Sequence, residues 1–212
     1  MNKKRVITAA VGAPLLLLLL YLGGWWLGIT LLLLFGLALA EYQRLIRVIR
    51  PAQPLVWMLI GGAYLLLGFL SFFVLRLTYQ HWLVALWLLL TVWATDSGAY
   101  EIGRRYGRTP LAQSISPHKT KEGALAGAAA GMLLAGTYLS VAMKAPFFPA
   151  LLITLIVSTA GQAGDLLESK VKRLAGVKDS GNLLPGHGGV LDRFDSLLLA
   201  APLAYVLSLI LL

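Results

Sequence analysis

The chemistry available to this 212-residue chain rests on acids set where apolar sequence surrounds them. Asp96 stands in WATDSGAYEIG, inside an apolar run, where an unpaired carboxylate would cost at least ~2.5 kcal/mol at mid-bilayer and less near the edge. Asp165 closes another such run in GQAGDLLES. Asp192 and Asp195 open a third in VLDRFDS, three residues apart, so at a helix start they face the same way. With no cysteine and only three histidines, this donor set excludes thiol nucleophiles and zinc-thiolate sites. Carboxylate oxygens select hard cations such as Mg²⁺, which commonly bridge acids to substrate phosphates.

Cations and glycines accompany the acids. In SISPHKTKEG, Ser116 followed by Pro117 reads as a helix start, the hydroxyl capping free amides. Lys119, Thr120 and Lys121 would then project from the first turns and form an anion site with the positive end of the helix dipole. In residues 164–196, Leu167, Val171 and Leu174 form one stripe of an amphipathic helix, with Glu168 and Lys172 on another. Five glycines and Pro185 between positions 176 and 189 then break regular structure and suit a backbone that wraps phosphate oxygens. His187, Gly188 and Gly189 sit at the centre of that nest, for which a phosphate contact suits His187 better than a metal.

Elements that could hold these residues follow from composition. The chain is 58% hydrophobic and 13% charged, about half the charge of an ordinary soluble domain. Its apolar stretches recur in blocks of about 20 residues, the length a helix needs to cross a bilayer. The expectation is a single all-α domain over 1–212, a polytopic bundle of about seven spans at roughly 6–24, 25–41, 55–75, 82–103, 122–143, 146–167 and 193–212. Active elements fall at 96–123 and 164–196.

The net charge of +9 would suggest nucleic acid were it not so distributed: sixteen of the eighteen basic residues fall in alternate loops, and only Arg76 and Lys144 in the others. By the positive-inside rule the crowded side is cytoplasmic, with the amino terminus inside and the carboxyl terminus outside. Topology accounts for the basic residues and leaves no need for a nucleic-acid partner. All nine acids lie on or near the same face, which marks it as a working surface. Trp25 and Trp26 stand where a signal peptide would need small residues, so the first span is read as retained. Gly123, Gly127 and Gly131 line one face of the fifth span and admit a close neighbouring helix.

The stretch Ser169 to Asp195, SKVKRLAGVKDSGNLLPGHGGVLDRFD, resembles the carboxy-terminal signature of the phosphatidate cytidylyltransferase, or CDP-diacylglycerol synthase, family. DSGAY at 96–100, SPHKTKEG at 116–123 and GDLLES at 164–169 resemble further blocks of that family in order. His118 and Lys121 depart from it, standing where a glycine and an aromatic are expected, and the chain looks shorter than typical bacterial members at its amino-terminal end.

The resemblance implies a Mg²⁺-dependent enzyme of the cell inner membrane that joins CTP and phosphatidic acid, works as a homodimer and has room for a second metal ion such as K⁺. It assigns the metal to Asp165 and Asp192, and substrate phosphates to Lys170, Lys172, Arg173 and Lys178. Around these the expected site places Asp96 and Asp195 in the acidic ring, Arg193 on the lipid phosphate, and Lys119 with the glycine nest on pyrophosphate. Ser116, Thr120 and Asp179 complete the substrate-binding set. Two other readings share the membrane setting: a CTP-dependent kinase for isoprenoid alcohols, and an ion-coupled transporter using Asp96 and Asp165. Transporters commonly hold such acids near midplane within inverted repeats, which this sequence does not display.

Overall fold

A computed structural model describes residues 3–79, 81–183 and 188–212, with side chains from Ala10 onward. Seven helices run in chain order: α1 Lys3–Leu22, α2 Gly24–Ile49, α3 Pro54–Thr78, α4 Leu83–Tyr106, α5 Lys121–Met143, α6 Phe147–Leu174 and α7 Leu191–Leu211. From α2 onward all six have the length and hydropathy of a membrane span, while the apolar part of α1 is Ala10–Leu22. The multi-pass helical bundle expected from composition is therefore the fold. Several helices outrun their apolar windows: α2 continues past residue 41 to Ile49 and α6 past 167 to Leu174. Hydropathy ends a span at the first charges, whereas backbone hydrogen bonding continues for as long as helix formers do.

One expectation is corrected between α4 and α5. Residues 116–120 form no helical turn; they are strand β2 (Ser116–Thr120), paired antiparallel with β1 (Pro110–Ala112). The Ile115 amide donates to Ala112 O at 3.1 Å to close the turn, and Lys121 N donates to Thr109 O at 2.8 Å. The cap of α5 is Thr120, whose Oγ1 accepts the Gly123 amide at 3.1 Å. A β-branched residue suits the extended backbone of a cap, and Thr120 satisfies an amide that Ser116 is too far upstream to reach. Lys119 thus leaves a strand end and no helical turn.

Small residues set the helix contacts. A Cβ on Gly127 would lie 2.6 Å from Thr95 O and one on Gly123 2.7 Å from Ala99 O, so the glycine face of α5 packs directly on the α4 backbone, as its spacing requires. Gly68 brings α3 equally close to Leu198 of α7, and Gly164 brings α6 to Asp195 of α7. Side-chain hydrogen bonds stitch α4 to α6, Trp87 Nε1 donating to Thr154 Oγ1 at 2.9 Å and Thr95 Oγ1 lying 2.6 Å from Ser158 Oγ. Each such bond in lipid contributes about 0.6 kcal/mol. Outward leucines such as Leu32 and Leu33 face the lipid solvent. Arg76 of α3 donates to Leu20 O at 2.8 Å and Tyr21 O at 3.3 Å, closing the last turn of α1 at the sparsely charged end.

These antiparallel contacts gather the last turns of α2, α4 and α6, the first turns of α5 and α7, and the hairpin at one end of the bundle.

Candidate active site

Two polar centres share that end, with α6 between them. The first is a cavity of about 520 Å³ among α4, the hairpin, α5 and α6, lined by Asp96, Tyr100, Arg104, His118, Lys119 and Asp165 with smaller residues between them. Lys119 Nζ pairs with Asp165 Oδ2 across it, both side chains about 30% exposed (30% and 27%). Ser169 Oγ, one turn along α6, donates weakly to Asp165 Oδ1 at 3.4 Å. Thr120 contributes to the wall, and Gln162 Nε2 donates to Ala124 O at 3.1 Å, tying α6 to α5 beneath. Asp195 and Arg193 approach from α7 and lie within electrostatic range of Asp96, Asp195 also within range of Asp165.

The second centre is closed. Lys172 Nζ sits 2.6 Å from Asp192 Oδ1 and 2.5 Å from Glu168 Oε2, with all three residues buried. Asp192 Oδ2 accepts three more donors, the Ser180 amide at 2.8 Å, Ser180 Oγ at 2.9 Å and the Gly189 amide at 2.8 Å. Glu41 reaches the same serine from α2, accepting its hydroxyl at 2.9 Å. The amphipathic end of α6 therefore turns its charged stripe inward, Glu168 and Lys172 being buried while Leu167 and Leu174 are half exposed. In a bilayer the polar stripe is the one that must find partners, and apolar surface can face lipid.

The sequence-derived residues divide accordingly. Asp96, Lys119, Thr120 and Asp165 come together around the cavity. Lys172, Asp192 and Gly189 belong to the closed cluster. Gly188 adjoins it at φ +85, where a Cβ would lie 2.6 Å from Asp192 Oδ2, so only glycine fits. The Gly189 amide, expected to meet a phosphate, is turned onto Asp192 instead. Arg173 spends its guanidinium on backbone carbonyls, Nε donating to Ile115 O at 3.1 Å and Nη1 to Val177 O at 2.8 Å, which fastens the hairpin to α6. Lys170, Lys178, Asp179 and Arg193 are exposed, and Ser116 begins β2 at the far side of the hairpin from Thr120. His187 lies outside the described residues.

Three participants escaped the sequence reading. Glu41 is one of the nine acids of this face, and its sequence signal is an acid closing an apolar span in ALAEYQR, which assigns it no partner. Glu168 falls on the polar stripe of α6, a position that by itself names no partner. Ser180 gave no signal. Glu122 also acts locally, its carboxylate accepting the amides of Arg108 at 3.1 Å and Thr109 at 3.1 Å to hold the turn out of α4.

Carboxylate oxygens suited to a hard divalent cation lie on both sides of α6, facing the open cavity at Asp96 and Asp165 and enclosed at Asp192. Asp165 and Asp96 offer oxygens to an open cavity beside cationic side chains. Asp192 has both oxygens occupied by four donors, and among the described residues no three carboxylate or histidine side chains converge as a ready-made cage. An ion held by one or two acids plus substrate phosphates needs no such cage.

A helical bundle with six helices of membrane-spanning length and a carboxylate and lysine cavity at one end defines a class: multi-pass membrane proteins with a charged cavity at the end of the bundle. Within that class, the chain belongs to the cytidylyltransferase family, whose sequence model matches residues 58–211. The phosphatidate cytidylyltransferase of Bacillus subtilis (strain 168) is 40% identical over 173 residues, 81% of this chain and 64% of that protein. That of Staphylococcus haemolyticus (strain JCSC1435) is 44% identical over 150 residues, 70% of this chain and 57% of that protein. For Staphylococcus aureus (strain COL) the figures are 38% over 205 residues, 95% and 78%. The alignments thus span less than two thirds of the first two relatives.

Proposed function

We propose that this chain transfers CMP from CTP to phosphatidic acid at the cytoplasmic face of the cell membrane, in one domain whose working parts are residues 96–123 and 164–196. A phosphate oxygen of the lipid attacks the α-phosphorus of CTP, the α–β phosphoanhydride bond breaks, and pyrophosphate leaves as CDP-diacylglycerol forms. The observation that carries this reading is the Lys119–Asp165 pair, held with Asp96 around a 520 Å³ cavity in a chain of this family.

The cavity residues supply positioning and charge, which is most of what phosphoryl chemistry asks of a protein. Lys119 would exchange its contact with Asp165 for oxygens of the triphosphate, with Arg104 available on the same wall. Asp165, released from the lysine, and Asp96 would hold Mg²⁺, which when bound neutralises phosphate charge. Asp192, the other acid assigned to metal by resemblance, serves with Lys172 to fix the start of α7. Arg193, on the first turn of that helix, would take the lipid phosphate while the acyl chains remain in the bilayer. No general base is required, because a phosphate monoester is already ionised at neutral pH. The cytoplasmic orientation is supported by the positive-inside bias, and a homodimer remains the expected assembly.

The test is to incubate the purified chain in detergent with CTP, Mg²⁺ and phosphatidic acid. CDP-diacylglycerol with stoichiometric pyrophosphate supports the proposal. CDP with a newly phosphorylated lipid alcohol would establish the kinase reading instead, and no CTP turnover at all would remove both.

A further inference from the structure

Glu41 is buried, 4% exposed, at the end of α2 and outside the residues the family model matches. Its Oε1 accepts the Val190 amide at 2.9 Å, and its Oε2 accepts the Leu191 amide at 3.0 Å and the Ser180 hydroxyl at 2.9 Å. The two amides open α7, where a helix leaves N–H groups unpaired and its dipole is positive. Ser180 is gripped from the other side by Asp192, which accepts its amide at 2.8 Å, while its single hydroxyl proton is shared between Glu41 Oε2 and Asp192 Oδ2, each 2.9 Å away. The glycines of this segment fit the same contact. A Cβ on Gly189 would lie 2.4 Å from Glu41 Oε2 and one on Gly181 2.8 Å from Glu41 Oε1. Two glycines that suggested a phosphate nest are thus explained by the close approach of a carboxylate from α2.

We propose that Glu41 is a positioning residue for the transfer reaction: it clamps the entry to α7 and, through Ser180, holds Asp192 on Lys172, which fixes where Arg193 stands relative to the cavity acids. This inference rests on the transferase reading above. Glu41 touches neither the cavity nor the proposed metal-binding acids, so its removal should misplace the lipid-phosphate side of the site and spare the nucleotide side. A purely structural clamp would lower stability and leave the kinetics of the surviving folded enzyme unchanged.

The full chain in detergent is compared as wild type, Glu41→Ala and Glu41→Gln, by steady-state kinetics and by hydrogen exchange of the peptide containing Val190 and Leu191. Expected for Glu41→Ala are a ~10- to 100-fold fall in kcat, a KM for CTP within about twofold of wild type, and amide exchange at least ~10-fold faster. Glu41→Gln keeps one carbonyl acceptor and should recover part of both; it carries the same readouts if the alanine variant does not fold. Wild-type kcat with faster exchange would overturn the positioning role, and unchanged exchange would overturn the clamp itself. If wild type makes no CDP-lipid, the transferase reading fails separately. Exchange then decides alone, with loss of protection supporting the clamp and retained protection refuting it.

Discussion

Replacing Lys172 by methionine keeps most of the side-chain volume and removes the one cation shared by two buried carboxylates. The side chains of Lys172, Glu168 and Asp192 are 9%, 7% and 4% exposed, so solvent compensates little. The two acids would feel the loss unequally. Asp192 keeps the Ser180 amide, the Ser180 hydroxyl and the Gly189 amide. Glu168 is left with an unpaired buried charge, since among the described residues neither of its oxygens has a hydrogen-bond partner beyond that ion pair. Breaking a buried pair from one side costs about 3–5 kcal/mol, which for a chain of this size lowers the thermal midpoint by roughly 6–12 °C at the lower figure. The inequality supplies the sharper test. Lys172→Met combined with Glu168→Leu removes the orphaned charge and should regain about 2 kcal/mol of the loss. The assay is thermal unfolding in one detergent, followed by tryptophan fluorescence. A single variant within about 1 kcal/mol of wild type, or a double variant no better than the single, would refute the account of α6 as a helix whose charged stripe is inward and mutually neutralised.

Asp165→Asn should lower cytidylyl transfer by at least ~100-fold while the thermal midpoint stays near wild type, because its carboxylate is part-exposed and faces the cavity; near-normal turnover would remove it from the site. Removing divalent ions with a chelator should abolish transfer, and adding Mg²⁺ back should restore it, with retained activity in chelator counting against Asp165 and Asp96 as ion-binding acids. Thr120→Ala should cost about 1 kcal/mol by leaving the Gly123 amide uncapped, read from the same unfolding curves. Gly127→Val should prevent recovery of folded, monodisperse protein in detergent, since its Cβ would meet Thr95 O at 2.6 Å; normal yield would show that α4 and α5 can separate without harm.

Much of the molecule was legible along the chain. The spans, the crowding of charge at one end, the glycine face of the fifth span and the acids of 96, 165 and 192 all follow from local composition and periodicity, because lipid leaves the backbone little choice but helix. Boundaries were less legible, since the charges that end an apolar window at residue 41 or 167 do not end a helix. The hairpin was missed because Ser116 and Pro117 carry a genuine helix-start signal, and only the pairing of β2 with β1 overrides it.

What the tertiary structure alone decided is which charges meet. Glu41 and Val190 are 149 residues apart and no spacing rule links them; the antiparallel packing of α2 beside α7 does. The packing of α7 against α6 and the segment that follows it gave Asp192 four donors, while Asp165 faces the cavity and Lys119, so two acids equivalent in sequence became unlike in chemistry. Helix formation is local and is written in neighbouring residues, but satisfaction of a buried charge depends on whatever the fold brings within about 3 Å of it, and that is fixed only when the helices have packed.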